Sequence, residues 1–260
     1  MITTKANEHR ANIRKARTEK SQKFAVTSGV IYEGLSPVDN MPIVGIITNL
    51  NRASENRKTG DMAQVYILRA DVRPVEAVAT GEDVSTCGNC PLRPTLAKKP
   101  KSDGVFLNKQ SKPVCYVNTG WLGKLWDSIP NLPRLNPVAV GDWLESSKLE
   151  LREGAYGDPA MIPNWIRREL NRGRGTSYTH QWNEPWIDPN ASDYSMASVQ
   201  TVDEKNAANA MGYRTYRVTS GDLEPDEILC PEITSGANCK DCGLCAGNRV
   251  QAKNIVIRPI

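Results

Sequence analysis

The stretch 149–170, LELREGAYGDPAMIPNWIRREL, decides how the fold is read. Its first part, 149–156, reads as a short strand, and 162–170 places Ile, Trp and Leu at helical spacing. Gly157-Asp158-Pro159 stands between them. Glycine permits a sharp strand exit and proline delays the helix, so Asp158 is expected at the carboxyl edge of the strand.

The same alternation continues downstream. Strands are predicted at 177–181, 196–199 and 214–218, a helix at 202–211 stopped by Gly212, and a last strand at 255–257. Such βα spacing implies parallel strands with right-handed crossovers, in an open sheet or a barrel. Upstream the pattern differs: 43–48 and 64–70 are rich in Val, Ile and Tyr around a polar loop with Gly60, and 75–79 offers a third strand. The expected class is α/β, an incomplete (β/α) barrel-like unit with an antiparallel amino-terminal sheet and a carboxyl-terminal cysteine-rich metal site. A complete eight-stranded barrel takes about 250 residues, and the first part of this 260-residue chain holds few βα units.

Residues 5–23 carry Lys5, Arg10, Arg14, Lys15, Arg17, Lys20 and Lys23 against Glu8 and Glu19. Residues 1–24 therefore read as a basic arm, solvated or ordered on a polyanion, and 25–260 as one α/β metal-binding domain. A second basic segment, 92–113, includes Lys98, Lys99 and Lys101 and is broken by proline and glycine. It reads as a phosphate-facing lid or a solvated loop. The whole-chain charge of +4 does not by itself argue for nucleic acid. No segment approaches the roughly 18 apolar residues of a membrane span, and the amino terminus is too polar for a secretory signal. The expected location is the cytoplasm.

Seven cysteines leave one unpaired in any disulfide framework, and their clustering suits metal ligation in a reducing compartment. Cys239-x2-Cys242-x2-Cys245 with Cys230 upstream, before Pro231, resembles the loop around a [4Fe-4S] cluster more than the paired knuckles of a zinc site. Zinc is the alternative. Cys87-x2-Cys90 and Cys115 supply three further thiols, a possible second metal site with His180 or an exogenous group as fourth ligand. A buried cysteine pair without metal is the plainer reading.

In parallel α/β folds the reacting groups lie at the carboxyl ends of the strands. Asp158, His180, Gln181, Trp182, Ser198 and Asp222 fall at four such ends. A turn-capping aspartate, a core histidine and a packing tryptophan are the structural readings of the same residues. Arg167, Arg168, Arg172 and Arg174 add a basic helix that would suit phosphates or simply face solvent.

Thr86-Cys-Gly-Asn-Cys-Pro91, Cys115-Tyr-Val-Asn118, Gly154-Ala-Tyr-Gly-Asp-Pro-Ala160, Tyr178-Thr-His-Gln-Trp182 and Met196-Ala-Ser-Val199 together resemble a phage-encoded family. That family is similar to viral deoxypurine-in-DNA transglycosylases, distant relatives of the tRNA-guanine transglycosylases. The resemblance spans about residue 32 to the carboxyl terminus. It implies exchange of guanine in phage DNA for a 7-deazaguanine of the preQ0 type, in the host cytoplasm. Asp158 would be the nucleophile, with Asp222 in reserve; His180, Gln181 and Ser198 would read the base, and Trp182 would stack on it. The departure is at the metal: the tRNA enzymes use three cysteines and a histidine, whereas this chain ends with four cysteines. The alternative is a non-catalytic nucleic-acid-binding or replication accessory protein. A redox or radical enzyme comes third, since the Cys-x3-Cys-x2-Cys run of S-adenosylmethionine chemistry is absent.

Overall fold

The computed structural model describes residues 26–52, 54, 56–93, 115, 117 and 119–259. The fold is mixed α/β, with two five-stranded sheets. The first takes β1 (Gly29–Leu35), β2 (Pro42–Thr48), β3 (Ala63–Arg69), β4 (Leu151–Tyr156) and β5 (Gly175–Thr176) in that order. β1, β2 and β3 are antiparallel; β4 and β5 then add parallel to β3.

Both faces of this sheet are covered, which is why β2 and β3 are apolar almost throughout rather than alternating. On one face Ile43, Ile47, Val65, Ile67 and Leu151 pack with Val140, Leu144, Ile166 and Leu170. Those last four belong to α4 (Pro137–Ser147) and α5 (Asn164–Leu170). Gly141 lets the two helices touch, because a Cβ there would collide with the Glu169 carbonyl. The other face, with Val44, Ile46, Tyr66 and Leu68, is closed by Leu122 and Trp126 of α3 (Thr119–Ser128).

The second sheet is wholly parallel, ordered β6 (Tyr178–Thr179), β7 (Met196–Val199), β8 (Thr215–Val218), β10 (Asn254–Ile257) and β9 (Glu227–Leu229). Between β7 and β8 lies α6 (Val202–Ala210), opened by a capping box of Thr201 and Glu204. Only Ser177 separates β5 from β6, so the chain leaves one sheet and enters the other at a single residue. That residue is held by charge. Ser177 Oγ donates to Glu153 at 2.8 Å and lies 2.9 Å from Ser195 Oγ, while Arg167 pairs with Glu153 at 3.1 Å, both side chains fully buried. Breaking such a pair by removing one partner leaves a buried charge uncompensated and costs about 3–5 kcal/mol.

Several expectations need correction. Residues 75–79 lie in a helix, α1 (Pro74–Thr80), because Pro74 starts it and Gly81 ends it in the left-handed conformation. The strand foreseen at 177–181 is only two residues long, since its backbone bends at Ser177 to change sheets. β1, β9, α3 and α4 were not foreseen at all. The four arginines foreseen as a basic helix are ion-paired within the protein, and Arg172 and Arg174 lie beyond the helix end: Arg167 is buried on Glu153, Arg168 binds Asp188, Arg172 binds Asp142 and Arg174 binds Glu150. The basic residues Arg10, Arg14, Lys15, Arg17, Lys98, Lys99 and Lys101 lie outside the described residues. Among the described residues no helix is long and apolar enough to cross a membrane.

Candidate active-site cavity

A cavity of about 190 Å³ opens between the two sheets. Strand ends from both sheets build its walls: Arg152, Gly154 and Tyr156 of β4, Tyr178 of β6 with His180 just beyond it, Tyr216 and Val218 of β8, and Ile257 of β10. The space is therefore walled by three tyrosines, with Tyr178 and Tyr216 ring centroids 4.4 Å apart. Cys87, Cys90, Cys115, Asp158, His180 and Ser198 also line it, and so do Cys239, Lys58 and Thr59. One cavity thus reaches from the first cysteine group to the second.

Asp158 is the sole carboxylate among the described lining residues. Its Oδ1 accepts from Ala160 N at 3.0 Å and Thr179 Oγ1 at 2.8 Å; Oδ2 accepts from His180 N at 2.7 Å and Gln181 Nε2 at 3.4 Å. The carboxylate caps the short turn Pro159–Met161 and clasps the end of β6 to the end of β4. Gly157 makes that turn possible. It sits at φ +80°, where a Cβ would meet Ile67 at 2.8 Å and the Thr86 carbonyl at 3.1 Å.

The first cysteine group hangs on this clasp. Asp158 N donates to the Thr86 carbonyl at 2.7 Å, and Gln181 Nε2 to the Cys87 carbonyl at 3.2 Å. Cys90 Sγ lies 3.8 Å from His180 Nε2. Burial raises the thiols of Cys87 and Cys115, and pushes Cys90 up to about 12, with Asp158 and Cys115 adding to it. Burial also lowers His180, against the pull of Asp158, which favours a neutral imidazole with a nitrogen free to ligate. Leu92 and Cys115 both line the cavity, and Cys115 N donates to the Leu92 carbonyl at 3.1 Å. Leu92 and Cys115 are therefore joined at the cavity wall.

The second group is carried by the carboxyl-terminal segment. Cys230 follows β9, and Cys239 and Cys242 bound α8 (Cys239–Cys242). That helix is pinned to the β2–β3 loop by Cys239 N to the Lys58 carbonyl at 2.9 Å and Lys240 N to the Thr59 carbonyl at 3.1 Å. Cys245 is buried beside Tyr178, whose hydroxyl bonds it. Burial, then the other three thiols of the group, push Cys245 up to about 12. Among the described residues no three Cys, His, Asp or Glu side chains converge as the ligands of one ion. The donor set still fits a thiophilic metal, because sulfur ligands are the ones such a metal selects.

The structure brings Asp158, His180 and Ser198 into one cavity, and it sends the other candidates elsewhere. Gln181 is a buried tie between Asp158 and the cysteine loop, and Trp182 lines a neighbouring pocket. Asp222 is exposed, off the cavity, its carbonyl accepting from Arg217 at 2.9 Å. Arg152, Tyr156, Tyr178 and Tyr216 were overlooked; the alternation of Arg152, Gly154 and Tyr156 against Leu151, Glu153 and Ala155 is the signal that marks their face. No protein-family model, curated protein or solved structure matches the chain.

Proposed function

We propose that the chain is a metal-dependent enzyme that modifies a nucleobase inside this cavity, on an incomplete barrel formed by the two sheets. What supports the reading is the cavity itself: tyrosines to receive a planar ring, Arg152, His180 and Ser198 to address its edge, and thiols at both ends. An accessory protein that only binds a strand has no need of an interior pocket. DNA is the proposed partner, since a base must leave its stack to reach such a site, and the lysines of residues 92–113 would neutralise backbone phosphates.

The finer reading is exchange of guanine for a 7-deazaguanine. Asp158 would attack the sugar C1′ through Oδ2, where the long contact from Gln181 is the weakest of its four bonds. The wild-type protein, incubated with a guanine-containing oligonucleotide and quenched in acid, is expected to carry a covalent adduct on the peptide around Asp158. With the free deazaguanine base added to the incubation, nucleosides from that DNA are expected to contain it by mass spectrometry, with guanine released. Neither product forming would reject exchange.

A second reading rests on the three-cysteine group facing the same space. Cys87, Cys90 and Cys115 would supply thiolates to a thiophilic metal, whose chemistry would be available to what binds in the cavity. Here modification without an Asp158 adduct, abolished in Cys90→Ser, is the expected outcome.

A further inference from the structure

Charge is unevenly spread along the interior cavity. Lys58, Arg152 and Arg258 line it, against Asp158 as the one carboxylate among the described lining residues. That carboxylate is taken up by four hydrogen bonds and sits past the carboxyl end of β4, whereas Arg152 is the second residue of the strand. Two of the cations meet at Arg152's end. The Lys58 carbonyl accepts from Cys239 N at 2.9 Å, and Lys58, Arg152 and Cys239 all line the cavity. Burial raises the Cys239 thiol while Arg152 and Lys58 draw it back down, so both charges lie within electrostatic reach of one sulfur. Acids nearby are engaged or held off: Glu153, next in the strand, is fully buried on Arg167, Glu150 pairs with Arg174 at 3.6 Å, and Glu232 reaches Lys58 only at 3.8 Å. A cleft of one sign with apolar walls concentrates ligands of the opposite sign.

We infer that this end of the cavity is an anion subsite and that the ligand is a nucleotide, its ring among Tyr156, Tyr178 and Tyr216 and its phosphate against Arg152 and Lys58. A guanidinium forks onto two phosphate oxygens, and its five N–H donors let Arg152 serve a ring edge as well. Lys58 adds a point charge from a side chain 41% exposed, so that end of the ligand reaches solvent, as the phosphate of a continuing strand must. Arg258 contributes mainly its charge, since its Nη1 is tied to the Thr219 carbonyl at 3.0 Å. The inference rests on the reading of the cavity as a nucleobase site, and it adds the group that separates a nucleotide from a nucleoside or a free base.

Calorimetric titration of the full chain with deoxyguanosine and deoxyguanosine 5′-monophosphate tests it without turnover. The monophosphate is expected to bind about tenfold more tightly, the effect of one charge-assisted contact. Arg152→Gln, checked for an unchanged melting curve, is expected to cut that ratio to about twofold or less. Lys58→Gln is expected to lower it about threefold, the smaller effect of a more exposed charge, and decides the matter should Arg152→Gln not fold. Arg172→Gln removes an ion-paired arginine outside the cavity and should leave the ratio unchanged. A trinucleotide with a central guanine locates the phosphate: affinity that Arg152→Gln also lowers assigns it to a strand, and affinity that the substitution does not touch assigns it to a free nucleotide. Equal binding of nucleoside and monophosphate, or a ratio that neither cavity variant moves, would overturn the inference and leave the nucleobase reading standing. Binding of neither compound would overturn both.

Discussion

Asp158 shows how a candidate catalytic residue is also a structural one. Its side chain takes up donors from two strand ends, and a substitution by alanine strands Thr179 Oγ1 and the backbone N–H groups of Ala160 and His180. A loss of about 3 kcal/mol is expected for Asp158→Ala by urea unfolding, since each unsatisfied buried donor costs about 1–3 kcal/mol. Asp158→Asn is milder but not silent, because an amide NH2 in the Oδ2 position faces the His180 N–H. Asp222→Asn, on the exposed side, is expected to change stability by less than about 0.5 kcal/mol. Equal effects of the two asparagine variants would show that the clasp is not formed.

Among the elements, the strand-to-turn unit at the end of β4 carries the most consequence. Gly157→Ala places a methyl against β3 and the Thr86 carbonyl, with its backbone in the left-handed region. Destabilisation of about 2 kcal/mol or more is expected from thermal melts. This unit was legible in the sequence because Gly-Asp-Pro is local chemistry: the strand, its exit and its helix are each written within a few residues. β7, which runs over Met196–Val199 as expected, is legible for the same reason. What sequence did not reveal depends on contacts far apart in the chain. β1 looks unremarkable until it pairs with β2, and the helix at Pro74–Thr80 carries valine and alanine that a strand would also accept. The cavity's tyrosines come from three strands, so no single window contains the pattern.

Across the whole molecule, two ion pairs and two thiol groups set the conditions of stability. The Arg168 bond holds Asp188 below the usual carboxylate range, and the Lys205 bond does the same for Asp226. A depressed folded value means stability is present above the unfolded value, about 3.9, and is lost as pH falls through the folded one. Urea midpoints are therefore expected to drop below about pH 4, and Asp188→Asn to flatten that drop; an unchanged profile would remove the pair from the account. Metal at the carboxyl-terminal cysteines is a proposal, and in protein purified anaerobically Cys242→Ser is expected to lower metal content. Content unaltered by Cys242→Ser would show that the carboxyl-terminal group holds none.

The bond between Cys115 N and the Leu92 carbonyl has a consequence for how such a protein can change. It closes a stem, and whatever chain is strung beyond a closed stem adds little to the folding problem: doubling the length of a flexible loop costs only about 0.6 kcal/mol. The residues between can be lengthened, shortened or swapped for those of another sequence while the two sheets keep their shape. The stem thereby uncouples the shape of the two sheets from the length of chain between its two ends.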